Sequence, residues 1–222
     1  MPLEQYNCRT LMNVPGAWVI LARMAGEPKV WTKGRKLAGN LVPLLSMVPT
    51  GVRTALAYRD RGWDGDLWMV WLAVTLGIGW VALNFFGFWR NAAMRNTLRL
   101  LFESTGTPIS GEAYFVGVAT PAFRDALDPH EDVGFLLLSG DELRFVGETH
   151  RIAFARGDVD RVRFRANVHT LLGLGGWARL EGERGGDRWH LYVEPRERTI
   201  LVLNAFYGVR FRRRLRAWIG SK

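Results

Sequence analysis

The feature that most constrains this chain is an uninterrupted run of 23 residues, Leu67 to Trp89, without one ionisable side chain. Wound as a helix at ~1.5 Å per residue, it is roughly 34 Å long, enough to cross a hydrocarbon core of about 30 Å. Trp68 and Trp71 stand near one end; Phe85, Phe86, Phe88 and Trp89 stand at the other. Aromatic rings at both ends suit the two headgroup interfaces. The competing reading is the central helix of a soluble protein, but such helices are usually shorter and carry some polar residues. The expectation is an integral membrane protein.

A second uncharged stretch, Leu37 to Val52, carries Pro43, Pro49, Gly39 and Gly51. Extended to Tyr58, with Arg53 snorkelling, it becomes long enough for a first span over 37–58. The residues before 67 would then turn a helical hairpin. The alternative is a re-entrant or interfacial segment kinked at the prolines. The hairpin accounts for the charges: Lys29, Lys33, Arg35 and Lys36 precede it, and Arg90, Arg95 and Arg99 follow it. Both termini then face the cytoplasm by the positive-inside rule. With a single span, orientation is undetermined. Residues 1–36 do not read as a signal peptide, because Glu4, Asn13 and Pro15 interrupt its expected parts. Val14 to Met24 is compatible with a short interfacial helix. Residues 90–104 continue helically, with Met94, Leu98, Leu101 and Phe102 on one face.

Charge is partitioned. Residues 1–110 carry 12 basic and 6 acidic side chains, residues 111–203 carry 12 and 15, and residues 204–222 carry 6 and none. Basicity therefore flanks the apolar segments and loads the tail, as suits anionic lipid. No basic surface marks the central part as a nucleic-acid binder. The lone cysteine, Cys8, excludes an intrachain disulfide.

From about residue 107 the periodicity becomes that of strands. Expected strands are 113–119, 134–138, 143–146, 151–154, 159–165, 176–181, 188–194 and 199–203. Asn204 reads as the N-cap of a helix reaching Ile219. The carrying segments are the hairpin Gly134-Phe135-Leu136-Leu137-Leu138-Ser139-Gly140-Asp141-Glu142-Leu143-Arg144-Phe145 and the stretch Ile152 to Val162. This pattern resembles the pleckstrin-homology superfold, especially its GRAM-like versions in bacterial membrane proteins. The resemblance covers about half the chain. It implies an α+β protein: an N-terminal helical hairpin, then a small β-barrel or sandwich over 107–222 with a C-terminal helix. By analogy it implies a binding module.

Several residues are candidates for function. In the C-terminal helix, Tyr207, Phe211, Leu215 and Trp218 form one stripe, with Arg210, Arg212, Arg213, Arg214 and Arg216 around it. Basic amphipathic helices with aromatic anchors bind anionic bilayers. The alternative, compatible with it, is that the stripe closes one end of the barrel. The loop Leu171, Leu172, Leu174 and Trp177 is apolar and Gly-rich, fit to dip into a bilayer or meet a partner. It lacks the spacing of a dinucleotide or phosphate loop. His130, Glu131 and Asp132, with His169, are weak metal-ligand candidates at no known metal spacing; turn-capping carboxylates are the alternative. In the span, Ala73 and Gly77 form a small-xxx-small pair and Asn84 is a polar group at membrane depth; both favour association with itself or another membrane protein.

The expected function is a non-catalytic, membrane-anchored binding or scaffold protein without cofactor. Its domain would contact anionic lipid headgroups or a protein partner. Alternatives are a metal-dependent enzyme using the His130 loop and an accessory subunit of a transport or secretion complex.

Overall fold

The computed structural model describes residues 19–20, 29–86, 88, 90–107, 109–119, 130–167, 170, 173 and 175–220. Helix α1 spans Lys33–Arg61 and α2 spans Leu67–Phe86. Both are long and apolar enough to cross a membrane. Thr32 caps α1, its hydroxyl accepting from the Arg35 N–H at 3.2 Å. Gly62, at φ +60°, ends it by donating to the Tyr58 carbonyl. Pro43 and Pro49 lie inside α1, and each removes one intrahelical bond. The helix runs on because α2 packs along it. Met47 covers Gly79, where a Cβ would come within 2.4 Å of its sulfur. Further along, the Thr54 and Thr75 hydroxyls lie 3.3 Å apart. At the tip, Tyr58, Trp63 and Trp68 meet edge to face with centroids 5.0 to 5.8 Å apart. Most leucines and valines of the pair point outward, Leu45 and Val70 among them at 61% and 57% exposure.

Helix α3, Asn91–Ser104, leads into an antiparallel sheet. The strands are β1 Val19–Ile20, β2 Glu112–Ala119, β3 Asp132–Ser139, β4 Glu142–Gly147, β5 His150–Ala155, β6 Val159–Arg165, β7 Trp177–Arg184 and β8 Asp187–Pro195. Their order is β1-β5-β4-β3-β2-β8-β7-β6. Two consecutive meanders, β2 to β5 and β6 to β8, are thus joined where β2 pairs with β8. Helix α4, Leu201–Gly220, follows the last strand.

Alternation splits each central strand between two cores. Val116, Val118, Leu136, Leu138 and Phe145 face one side and pack with Trp189, Leu191, Phe211, Leu215 and Trp218. Phe154 stacks on Trp189 at 3.8 Å. Phe115, Val133, Phe135 and Val146 face the other side, under Met94, Leu98 and Phe102 of α3 and Trp31. A strand buried on both faces reads as a continuous apolar run, which is why 134–138 carries no charge.

Two local expectations are corrected. Val19–Ile20, placed in an interfacial helix over Val14 to Met24, is a two-residue strand on the edge of β5; the rest of that segment lies outside the described residues. The strand expected at 199–203 does not form. Helix α4 begins at Leu201, because Leu201 buries against Leu83 and Phe88. Asn204 is consequently inside the helix rather than its N-cap. Its side chain accepts from the Arg198 N–H at 3.2 Å and donates to the Pro195 carbonyl, folding the β8–α4 connection.

Candidate functional site

The densest polar chemistry lies where the helix pair meets the sheet. Arg196, just past β8, is 1% exposed. Its Nε donates to Asn91 Oδ1 at 3.0 Å, and one of its terminal nitrogens lies 2.9 Å from His130 Nδ1. Its guanidinium plane sits over Phe88 at 4.2 Å and over Trp31 at 4.7 Å. A guanidinium only donates, so His130 Nδ1 is the acceptor of this bond. The other ring nitrogen, Nε2, faces Glu194 Oε2 at 3.2 Å. Gly117 makes room for this ring: a Cβ there would lie 1.9 Å from it. Trp31 completes the group by donating its indole N–H to the His130 carbonyl at 3.1 Å. The Val30 and Trp31 backbone N–H groups donate to the Glu148 carboxylate, Trp31 at 2.7 Å. Asn91 Nδ2 donates to the Arg198 carbonyl, and Arg95 pairs with Glu197 at 2.7 Å. One buried cluster thus fastens the start of α1, the start of α3 and the end of β8.

A second fastening holds α4. Asn84 Oδ1 accepts from the Val202 N–H at 3.1 Å, while Asn84 Nδ2 donates to the Trp80 carbonyl. Leu83 and Phe88 cover Leu201. The polar residue in α2 is therefore used as a cap for α4. Ala73 and Gly77 do not face α1; α2 presents Thr75, Gly79 and Ala82 as its buried residues there, and a Cβ on Gly77 would meet nothing within 4 Å. Within two turns of its tether α4 leaves Leu203, Phe206 and Val209 exposed, Phe206 at 69%. Arg210 and Arg213 continue this face at spacings of 7 and 10 from Leu203.

The aromatic stripe of α4 points inward. Phe211 and Leu215 are in the core, and Trp218 is 8% exposed with its indole N–H on the Ser139 carbonyl at 2.9 Å. Trp218 is thus a core residue and not a lipid anchor. Burial pushes the Tyr207 hydroxyl up to about 12, with the Glu197 charge adding to it. The arginines divide. Arg214 forms a two-pronged pair with Glu112, both bonds 2.6 Å. Arg216 donates to the Val162 carbonyl at 3.1 Å. Arg212 lies over Phe164 at 4.9 Å, and burial, then the Arg216 charge, pulls its basicity down. Arg210 and Arg213 are exposed.

Trp177 is buried, its ring 5.0 Å from that of His130; it supports the His130 cluster rather than an outward loop. Leu171, Leu172, Leu174 and His169 lie outside the described residues. His130 and Asp132 do not converge. Asp132 accepts from the Val133, Thr149 and His150 N–H groups at 2.8 to 2.9 Å, which is the turn-capping use of a carboxylate. Glu131 is half-buried, and its N–H donates to the Val118 carbonyl. Among the described residues, no three His, Cys, Asp or Glu side chains gather as a metal site.

Trp31, Asn91 and Arg196 carry the junction, and no local spacing announced them. Thr32, whose hydroxyl caps α1, is a residue type that can mark a helix start beside Trp31. No protein-family model, no curated protein and no solved structure matches the chain.

Proposed function

We propose that this is a membrane-anchored, non-catalytic binding protein whose pleckstrin-homology or GRAM-like domain rests on the cytoplasmic face of the bilayer and contacts anionic lipid. The observation that carries it is the tether of α4 to the last turn of α2 through Asn84 and Val202. If α2 spans the membrane, that bond holds Leu203 and Phe206 at interface depth, with Arg210 and Arg213 further along the same face. Exposed apolar anchors beside basic residues suit an anionic surface, each basic residue near it contributing about 1 kcal/mol.

Three further features support the reading. The helix pair turns its leucines outward, the reverse of a water-soluble core. The β-domain is an antiparallel sheet of two meanders followed by a C-terminal helix, an α+β architecture on which the reading draws. Lys29, Lys33, Arg35, Arg90, Arg95 and Arg99 all lie at the domain end of the pair, whereas the tip balances Arg59 and Arg61 with Asp60, Asp64 and Asp66. That asymmetry favours a cytoplasmic domain.

The test uses the full chain in vesicles. Phe206→Cys in a Cys8→Ser background carries an environment-sensitive fluorophore. Blue-shifted emission quenched by brominated lipid, stronger in anionic than neutral vesicles and weakened by Arg210→Glu with Arg213→Glu, is expected. Water-like emission in both vesicle types would remove lipid contact and leave a protein partner as the object of the search.

A further inference from the structure

A cavity of about 340 Å³ opens between the start of α1, the α2–α3 connection and β8. Arg35, Arg90 and Arg196 come to it from these three parts of the chain, and among the described residues no carboxylate lines it. Arg196 is fixed there by Asn91, His130 and the rings of Trp31 and Phe88. Arg35 is steadied by donating to the Val30 carbonyl at 2.6 Å. The first turn of α1, which borders the cavity through Thr32, Gly34 and Arg35, contains no acidic residue. Its N-terminal dipole adds positive potential to that of the guanidiniums. The remaining wall is apolar, with Trp31, Phe86 and Met94. Such a cavity takes a ligand that is anionic at one end and apolar at the other. Guanidiniums match the paired oxygens of a phosphate, and the volume falls at the small end of ligand sites, ~300 to 1,000 Å³.

We infer that this cavity binds a phosphoester, and that its source is the headgroup of an anionic phospholipid in the leaflet next to the domain. The inference rests on the membrane reading, which puts Phe86 and the start of α1 at headgroup depth. It is separate from the contact assigned to α4, since it draws on none of that helix's residues. The same chemistry could be met by a soluble phosphoester, and the experiment separates the two.

The full chain in mild detergent is titrated with phosphatidylglycerol and with phosphatidylcholine, and complexes are counted by native mass spectrometry. Inorganic phosphate and glycerol phosphate are added as competitors. One phosphatidylglycerol should bind at least tenfold more tightly than phosphatidylcholine. Arg35→Ala with Arg90→Ala should weaken it about tenfold with an unchanged unfolding temperature, and Arg188→Ala, an exposed side chain at the other end of β8, should not. Because Arg35 also touches Val30, Arg90→Ala alone, an exposed side chain, serves as the second variant and should weaken binding several-fold. Equal affinity for the two lipids, or affinity indifferent to both Arg90 variants, overturns the site. Displacement by millimolar glycerol phosphate overturns the lipid source. Alkaline extraction of the same protein from membranes tells the failures apart: release into the soluble fraction sinks the membrane reading, whereas retention without lipid preference sinks only the cavity.

Discussion

Asn84 Oδ1 lies 3.1 Å from the backbone nitrogen of Val202, 118 residues further along, and this bond, beside the packing of Leu83 on Leu201, joins the apolar helix pair to the helix that follows the sheet. Asn84 is 3% exposed, so no water replaces it. Asn84→Leu should lower the stability of the domain by about 1 to 2 kcal/mol, the usual cost of losing a cap. Thermal unfolding of the full chain in detergent, followed by near-ultraviolet circular dichroism, reads this. An unchanged midpoint would show that the bond holds nothing together.

Helix α3 belongs energetically to the sheet. Met94, Leu98 and Phe102 are each 3% exposed or less and cover Phe115 and Phe135. Each buried side chain of this kind contributes about 1.5 to 3 kcal/mol. A fragment of residues 90–222 should therefore unfold at markedly higher denaturant than one of residues 107–222. The shorter fragment should also bind a hydrophobic dye at its bared outer face. Coincident unfolding curves would place α3 with the helix pair alone.

The His130 and Arg196 side chains share a buried bond, and each also holds a third group, Glu194 and Asn91 respectively. Removing one member of a buried hydrogen-bonded pair leaves the other's polar group unsatisfied, at a cost of about 1 to 3 kcal/mol. His130→Ala and Arg196→Met should each destabilise strongly, and the double variant by less than the sum, with a coupling of about 0.5 to 3 kcal/mol. Additive effects would mean that the two side chains act independently.

The Glu112 carboxyl is held below its ordinary value chiefly by the Arg214 hydrogen bond, against the pull of burial and with help from the Tyr114 hydroxyl. For Glu181, burial pulls upward, but the Arg161 hydrogen bond and the charges of Arg179, Arg161 and Arg163 outweigh it, so its carboxyl is lowered too. A lowered folded value means that the unfolded chain binds more protons in acid. The stabilisation is present above the ordinary 4.5 and is lost as pH falls through the folded value. Glu112→Gln and Glu181→Gln should each flatten the acid limb of a stability–pH curve and leave the slope near neutrality unchanged. An acid limb as steep as that of the unmodified chain would remove these two groups from the account.

Periodicity made much of the fold legible. The stripe Met94, Leu98, Phe102 reports which face is covered, and α2 begins at Leu67 as the uncharged run requires, whereas in 159–165 Val162 is buried but Phe164, on the same face, is 47% exposed. Local sequence misled where a distant partner decided. Thr199-Ile200-Leu201-Val202-Leu203 has a strand's composition, yet Leu83, Asn84 and Phe88 make it the start of a helix. Trp218 looked like an amphipathic anchor because the pattern shows a stripe but not which side the rest of the protein occupies. The junction was invisible because Asn91 and Arg196 are 105 residues apart, and neither carries a motif.

The buried Arg196 cluster also sets an order of assembly. Trp31 precedes the first apolar helix, and Arg196 emerges from the ribosome only after nearly the whole sheet. The bonds from Trp31 to His130 and Glu148 can close once the first meander exists, but the guanidinium that lies over Trp31 and Phe88 and bonds Asn91 arrives only with the end of β8, so the cluster is completed only then.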